Sequence, residues 1–288
     1  MMSQAKSQLA PLERAVRRRY RFMLFPAFLL MAVFFVWPLL GMMGRSFYTS
    51  HVTLANYAEI LSQPVYFYVI WITFRMAAYV TALCVLIGYP VAYMLAHVSR
   101  RTMNLLLIAV VLPYFTSVIV RTYAWMVLLG REGLVNQYLG MFGFGRANLL
   151  YNQTGVLIGM TYVLLPLMIL TLLTVMRGID QGLIRAALSL GASPFYAFRR
   201  VYLPLSLPGL AGGMLLTFIL AVGFYITPAL MGGSGDVTIA MLIQREVEIS
   251  VNWPFASALA VILLIVTLVA FALYGRFVRL ERLLKSVG

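Results

Sequence analysis

Arg185-Ala186-Ala187-Leu188-Ser189-Leu190-Gly191-Ala192-Ser193 is followed by Arg199-Arg200-Val201-Tyr202-Leu203-Pro204 and then by Pro208-Gly209. On a helix, three-and-four spacing sets Leu183, Ala186, Ala187 and Leu190 on one face. Gly191 then permits a turn that a Cβ would resist. Ser193-Pro194 reads as a second helix start, with Ser as cap and Pro at the first helical position. Phe195, Phe198 and Tyr202 fall along one side of this second piece, Arg199 and Arg200 are free for headgroups or a partner, and Leu203-Pro204 is expected to end it. Two short amphipathic pieces around a tight turn make a stiff knob, which transmits force where a floppy loop does not. The competing reading is an amphipathic linker lying on a membrane surface.

A membrane surface is close by, because apolar segments flank the stretch on both sides. The chain has 288 residues, 62% hydrophobic and 10% charged, with a mean hydropathy of +0.93. A soluble domain of this size could not hide so much apolar surface, so the bilayer is the expected solvent. Six segments are long enough to cross about 30 Å of hydrocarbon as helices. They are Phe22–Met43, Tyr66–Ala96, Met103–Leu129, Thr154–Met176, Pro208–Met231 and Phe255–Phe277. The expected fold is an all-α membrane protein: one six-helix domain over residues 22–278, with tails at 1–21 and 279–288. The second segment is overlong, so it tilts or runs into the interface. A short helix is expected at Leu54–Leu61, and turn-rich outer loops at Gly130–Gly133, Gly140–Gly145 and Gly232–Gly235.

The net charge of +14 is a topology signal rather than a nucleic-acid footprint. Lys6, Arg14, Arg17, Arg18, Arg19 and Arg21 precede the first segment, and Arg100 and Arg101 lie between the second and third. Arg177, Arg185, Arg199 and Arg200 lie between the fourth and fifth, and Arg276, Arg279, Arg282 and Lys285 end the chain. All of these share one side, whereas Arg45, Arg131, Arg146 and Arg245 share the other. The positive-inside rule then places both termini in the cytoplasm. The outer face also holds Glu59, Glu132, Asp236, Glu246 and Glu248. It suits a cationic solute or a basic patch on a partner, or it simply lacks positive charge as outer loops commonly do.

Catalytic chemistry has no visible seat. Cys84 is the single cysteine, and His51 and His97 fall on opposite sides of the membrane, so neither a disulfide nor a shared metal is expected. No triad, phosphate loop or metal cluster is present, which disfavours a membrane-bound enzyme. No Asp or Glu occurs within the six segments, which disfavours an ion-coupled secondary carrier. Pro38, Pro90, Pro113, Pro166 and Pro228 sit inside the segments, where each removes a donor and bends its helix. Kinks suit a path that opens and closes, and they also occur in ordinary bundle packing.

The 185–209 stretch resembles the signature of permease subunits of binding-protein-dependent ABC importers, called the EAA motif. Ala186, Ala187, Leu190, Gly191, Ala192, Ser193, Phe198, Val201, Leu203, Pro204, Pro208 and Gly209 match it. Arg185 stands where that family usually has Glu, which reverses a charge expected to pair with the ATPase. Gly88-Tyr89-Pro90-Val91-Ala92-Tyr93, Arg121-Thr122-Tyr123-Ala124-Trp125, Leu230-Met231-Gly232-Gly233 and Trp253-Pro254-Phe255 are similar to landmarks of the spermidine/putrescine-type subgroup.

The resemblance implies a type I ABC importer permease fold in the bacterial inner membrane, with residues 181–207 forming a cytoplasmic coupling loop. It implies a second homologous permease subunit, two cytoplasmic ATPase subunits that bind the ATP and Mg, and a periplasmic solute-binding protein. This chain would carry no cofactor of its own. Arg185, Ala186, Ala187, Leu190, Gly191, Ala192, Ser193 and Phe198 would meet the ATPase. The implied cargo is a polyamine; an aminophosphonate, an opine or amino-acid-like compound, or ferric iron is the alternative.

For the translocation path, Arg75, Tyr114, Arg121, Tyr123, Trp125, Tyr162 and Tyr225 are the candidates. An arginine at membrane depth costs about 3 kcal/mol on insertion scales, so it faces a partner or water, or snorkels to the interface. The rings either form a cation-accepting wall or populate the interfacial belts.

Overall fold

The computed structural model describes the backbone of residues 24–48 and 52–285, with side chains as far as Arg276. Residues 1–21, expected as a basic tail, lie outside the described residues. In chain order the helices are α1 (Leu24–Arg45), α2 (Ala55–Ser62), α3 (Pro64–His97), α4 (Arg100–Val111), α5 (Val118–Leu129), α6 (Leu134–Met141), α7 (Gln153–Arg177) and α8 (Gln181–Ser189). They continue as α9 (Pro194–Val222), α10 (Ile226–Met231), α11 (Ile239–Glu248) and α12 (Trp253–Lys285). The helix expected near Leu54 is α2.

Five helices, α1, α3, α7, α9 and the Trp253–Arg276 part of α12, are long and apolar enough to cross a membrane. A further apolar segment is a bent pair, Arg100–Phe115 and Val118–Met141, which meet at 100° and make a sixth crossing if the two count as one span. The helix over Met103–Leu129, expected to bend at Pro113, is instead broken just after it. Pro113 offers no N–H, and Leu112–Phe115 tightens into a 3₁₀ turn. Thr116 then spends both its N–H and its hydroxyl on the Pro113 carbonyl, and Thr116 and Ser117 both turn extended (ψ 153° and 137°). Two extended residues in a row end one helix and begin another.

The fifth crossing also differs from expectation. The Pro208–Met231 segment is displaced: α9 starts at Pro194 and stops at Val222, and Ile226–Met231 forms the separate α10. Leu203-Pro204 does not end the helix, because residues Phe198–Tyr202 wind as a π turn in which the Leu203 N–H reaches the Phe198 carbonyl. The widened turn makes room for the proline ring that follows. In α1 the same device precedes Pro38: Ala32–Val36 is a π turn, with the Trp37 N–H on the Ala32 carbonyl. Pro90, Pro166 and Pro208 are carried inside α3, α7 and α9 without a break.

Three helices, α3, α7 and α9, make the core. Met76, Val80 and Cys84 of α3 pack with Met160, Met168 and Leu172 of α7, all fully buried. In lipid no hydrophobic drive pulls helices together, so close packing of small residues must do it. Along α9 the buried stripe is Ser206, Gly209, Gly213, Thr217 and Ala221, at three-and-four spacing. At Gly209 a Cβ would lie 2.7 Å from Val175 Cβ, so only glycine lets α9 sit this close to α7. A second cluster, including Ile60, Ile239, Phe255 and Leu259, ties α2, α11 and α12 to the start of α3. By contrast α1 has no buried residue and meets the body mainly at α12.

Candidate functional site

The knob read from the sequence is an elbow between α8 and α9. Asp180 caps α8 by accepting the Gly182 N–H at 2.8 Å. At the other end Ala192 N–H reaches the Ala187 carbonyl (3.1 Å) and Gly191 N–H the Leu188 carbonyl (3.0 Å). This paired closure needs a left-handed residue at its apex, and Gly191 supplies it with φ +87°. Ser193 Oγ accepts the Tyr196 N–H, and Pro194 takes the first position of α9.

The elbow has two unlike faces. Outward, Leu190 is 89% exposed and Phe195 71%, and Arg185 and Ala186 are exposed as well. Ala187, Leu190, Gly191, Ala192, Ser193 and Tyr196 line an open concavity of about 510 Å³. Inward, Ala197 is buried and Ile184 packs on the core. Phe195, expected on one side with Phe198 and Tyr202, is turned away from them.

Phe198 and Tyr202 enter a cluster of rings that joins the elbow to the end of α3. Tyr93 meets Tyr202 at 5.0 Å and Phe198 at 5.6 Å, both edge-on, and Tyr89 meets Phe198 at 6.4 Å. His97 lies 4.3 Å from Tyr93 and 5.4 Å from Tyr202. One turn further, Tyr89 Oη and Ser206 Oγ share a 2.8 Å hydrogen bond. Arg177, at the end of α7, donates to the Leu95 and Val98 carbonyls and caps α3. Tyr93, His97, Ser206 and Arg177 were not singled out as a group in the sequence. Their signal was there: Tyr89, Tyr93 and His97 recur every four residues, as do Phe198 and Tyr202.

Away from the elbow, the break between α4 and α5 opens a cavity of about 380 Å³ lined by Tyr114, Thr116, Ser117, Val118, Arg121, Val163, Leu164, Leu220 and Phe224. Arg121 is only 7% exposed. Its guanidinium lies 5.5 Å from the centre of the Tyr114 ring, and its Nε is buried with no hydrogen-bond partner. Trp125, one turn on, meets Tyr162 of α7 edge-on at 5.3 Å. The structure thus brings together four of the path candidates in two pairs. Arg75 is half-buried on α3, with its Nε likewise unpartnered, and does not line this cavity. Tyr123 and Tyr225 are exposed, and no ring or cation contact among the described residues joins them to the group. Nor do the described residues bring together three or more groups able to hold a metal ion.

Residues 85–282, which span both sites, match the family of binding-protein-dependent transport system inner membrane components. The chain belongs to this family. It is 37% identical over 257 residues to the spermidine/putrescine transport system permease protein PotB of Haemophilus influenzae, covering 88% of each chain. To PotB of Escherichia coli it is 32% identical, over 87% of this chain and 94% of that one. The inner membrane ABC transporter permease protein YdcU of Escherichia coli is 33% identical over 80% of this chain and 76% of its own length. The fold superposes on a chain of a bacterial ABC transporter involved in alginate import, with a TM-score of 0.76, 18% identity, and 93% and 98% of the two chains covered. A chain of the MetNI methionine transporter matches at 0.56 with 21% identity, over 73% and 92%. The protein is thus a multi-pass permease of the inner membrane, a transport subunit with an ABC importer fold.

Proposed function

We propose that this permease forms half of a translocation path for a polyamine such as spermidine or putrescine. A second homologous permease would supply the other half. Two ATPase subunits that hold ATP and Mg would dock on the cytoplasmic side, and a solute-binding protein would deliver cargo from the periplasm. The similarity to PotB over most of the chain supports the cargo. The basic residues flanking the spans support cytoplasmic termini.

The observation that carries the mechanical part is the elbow's division into an exposed apolar tip and a clamped inner face. Leu190 and Phe195 offer a surface that no described residue covers, while Phe198 and Tyr202 are held by Tyr89, Tyr93 and His97. A push on Arg185–Ser193 would therefore move α3 and α9 with it rather than flex a loop. Arg185 is exposed and makes no ion pair among the described residues. Contact with the ATPase would then be mainly apolar and steric. Tyr114 and Arg121, with Trp125 and Tyr162 beside them, would border the path; Arg75, Tyr123 and Tyr225 would contribute from further along it.

The decisive experiment reconstitutes both permeases and the ATPase in vesicles with the binding protein outside. Putrescine- or spermidine-loaded binding protein is expected to stimulate ATP hydrolysis and drive uptake. Uphill transport by this chain alone would overturn the proposal, and stimulation by other cargo but not by polyamines would overturn its cargo.

A further inference from the structure

We infer that the break in the third crossing is an anion site, filled in the assembled importer by a carboxylate side chain of the second permease. The inference rests on the two-permease reading above.

Two independent positive features point into the same cavity. One is Arg121, more than nine-tenths buried, lining the cavity with an Nε that has no hydrogen-bond partner. The other is the start of α5, a helix of 12 residues whose cap residue Ser117 makes no side-chain capping bond. The first N–H groups of such a helix are left open, and the peptide dipoles add partial positive charge there. Ser117 and Val118, at that helix start, line the same cavity as Arg121. Helix starts of this kind bind anions, and guanidinium groups favour carboxylates. At about 380 Å³ the space exceeds the roughly 30 Å³ share of one water many times over, so a side chain fits.

The missing negative charge must come from elsewhere. Among the crossings the one acid is Glu132, in the turn beyond the end of α5. Glu132, the nearest acid along the sequence, pairs with Arg146 at 3.0 Å. A polyamine cargo is itself a cation and cannot neutralise the site. Among the described residues the guanidinium's one partner is the face of Tyr114, which is worth about 1–2 kcal/mol against a burial cost of several. Phe115 (83% exposed) and Val120 (62%), beside the lining residues in sequence, are left largely uncovered by the described residues. An apolar surface with a charged socket in it fits another membrane subunit better than it fits lipid tails.

The test uses the full importer. Wild-type assembly with the second permease and ATP-driven putrescine uptake are measured first, since their failure would remove the functional reading itself. Arg121→Lys and Arg121→Met are then compared at matched membrane abundance. The Lys variant is expected to keep at least about tenfold more uptake than the Met variant, because charge rather than bulk fills the role. Equal behaviour of the two, both active or both inactive, would overturn the inference. Arg121→Glu is also put through selection for restored uptake with both permease genes mutagenised. Suppressors are expected to replace an acidic residue of the second permease by a neutral or basic one. Suppressors confined to this chain would overturn the assignment of the carboxylate to the partner.

Discussion

The elbow and the break between α4 and α5 are both interruptions between helices, yet they are built in opposite ways. At the elbow every interruption is closed from within: Gly191 forms the apex, Ser193 caps, and rings on α3 lock the start of α9. At the break, Ser117 gives no side-chain cap to α5 and Arg121 Nε is unpartnered. The first is a finished part that presents a clean apolar tip. The second is a part with a gap that another molecule completes. Internally satisfied backbone gives stiffness, and unsatisfied polar groups mark where a partner belongs.

The contrast breaks most directly at the tip. Leu190→Asp puts a charge on the surface proposed to meet the ATPase, at a residue 89% exposed. Uptake is expected to fall at least about a hundredfold, as polar insertion into an apolar contact costs about 3 kcal/mol. Chain abundance in the membrane should stay normal, because the described residues leave that side chain almost fully exposed. Near-normal uptake would show that the tip is not a docking surface.

Tyr93→Ala tests the clamp. It removes a ring that touches Phe198, Tyr202 and His97, at a cost of about 3 kcal/mol. The expected signature is a several-fold rise in ATP hydrolysed per solute moved, because a loosened elbow yields without shifting α3. If hydrolysis and uptake fall together, the rings serve stability and not transmission.

Two smaller substitutions sharpen the picture. Tyr89→Phe deletes one hydrogen bond, to Ser206, and should lower resistance to thermal inactivation by about 1 kcal/mol with uptake kept. Tyr202→Phe removes a buried hydroxyl that has no hydrogen-bond partner. It is expected to be neutral or slightly stabilising in the same assay, since the desolvation of that hydroxyl is uncompensated.

Much of the elbow was legible in the sequence because its signals are local. Gly at a left-handed apex, Ser-Pro at a helix start and apolar spacing of three and four each act within one turn. The spans were legible for the same reason, as each needs only about twenty apolar residues. What escaped was decided by competition. Pro113 and Pro204 look alike as helix breakers, but Pro204 is preceded by a π turn and survives inside α9, while Pro113 is followed by Thr116 and Ser117 in extended geometry. The burial of Arg121 was hidden too, because α7 and the end of α9, distant in sequence, close over it. Phe195 parts from Phe198 and Tyr202 because it sits in the exposed first turn of α9, ahead of the π turn, while the other two face the rings of α3.

α9 runs unbroken from Pro194 to Val222, a rod of roughly 43 Å at 1.5 Å per residue. Near the midpoint, at Gly209 and again one turn on at Gly213, it lies so close to α7 that Val175 and Met168 leave no room for a Cβ. A beam pinned at its centre behaves as a seesaw. Swing the lower end toward the molecular axis, and the upper end, at Val222 beside the Arg121 cavity, swings away from it. A glycine fulcrum would then suffice to make the two mouths of the channel open in turn.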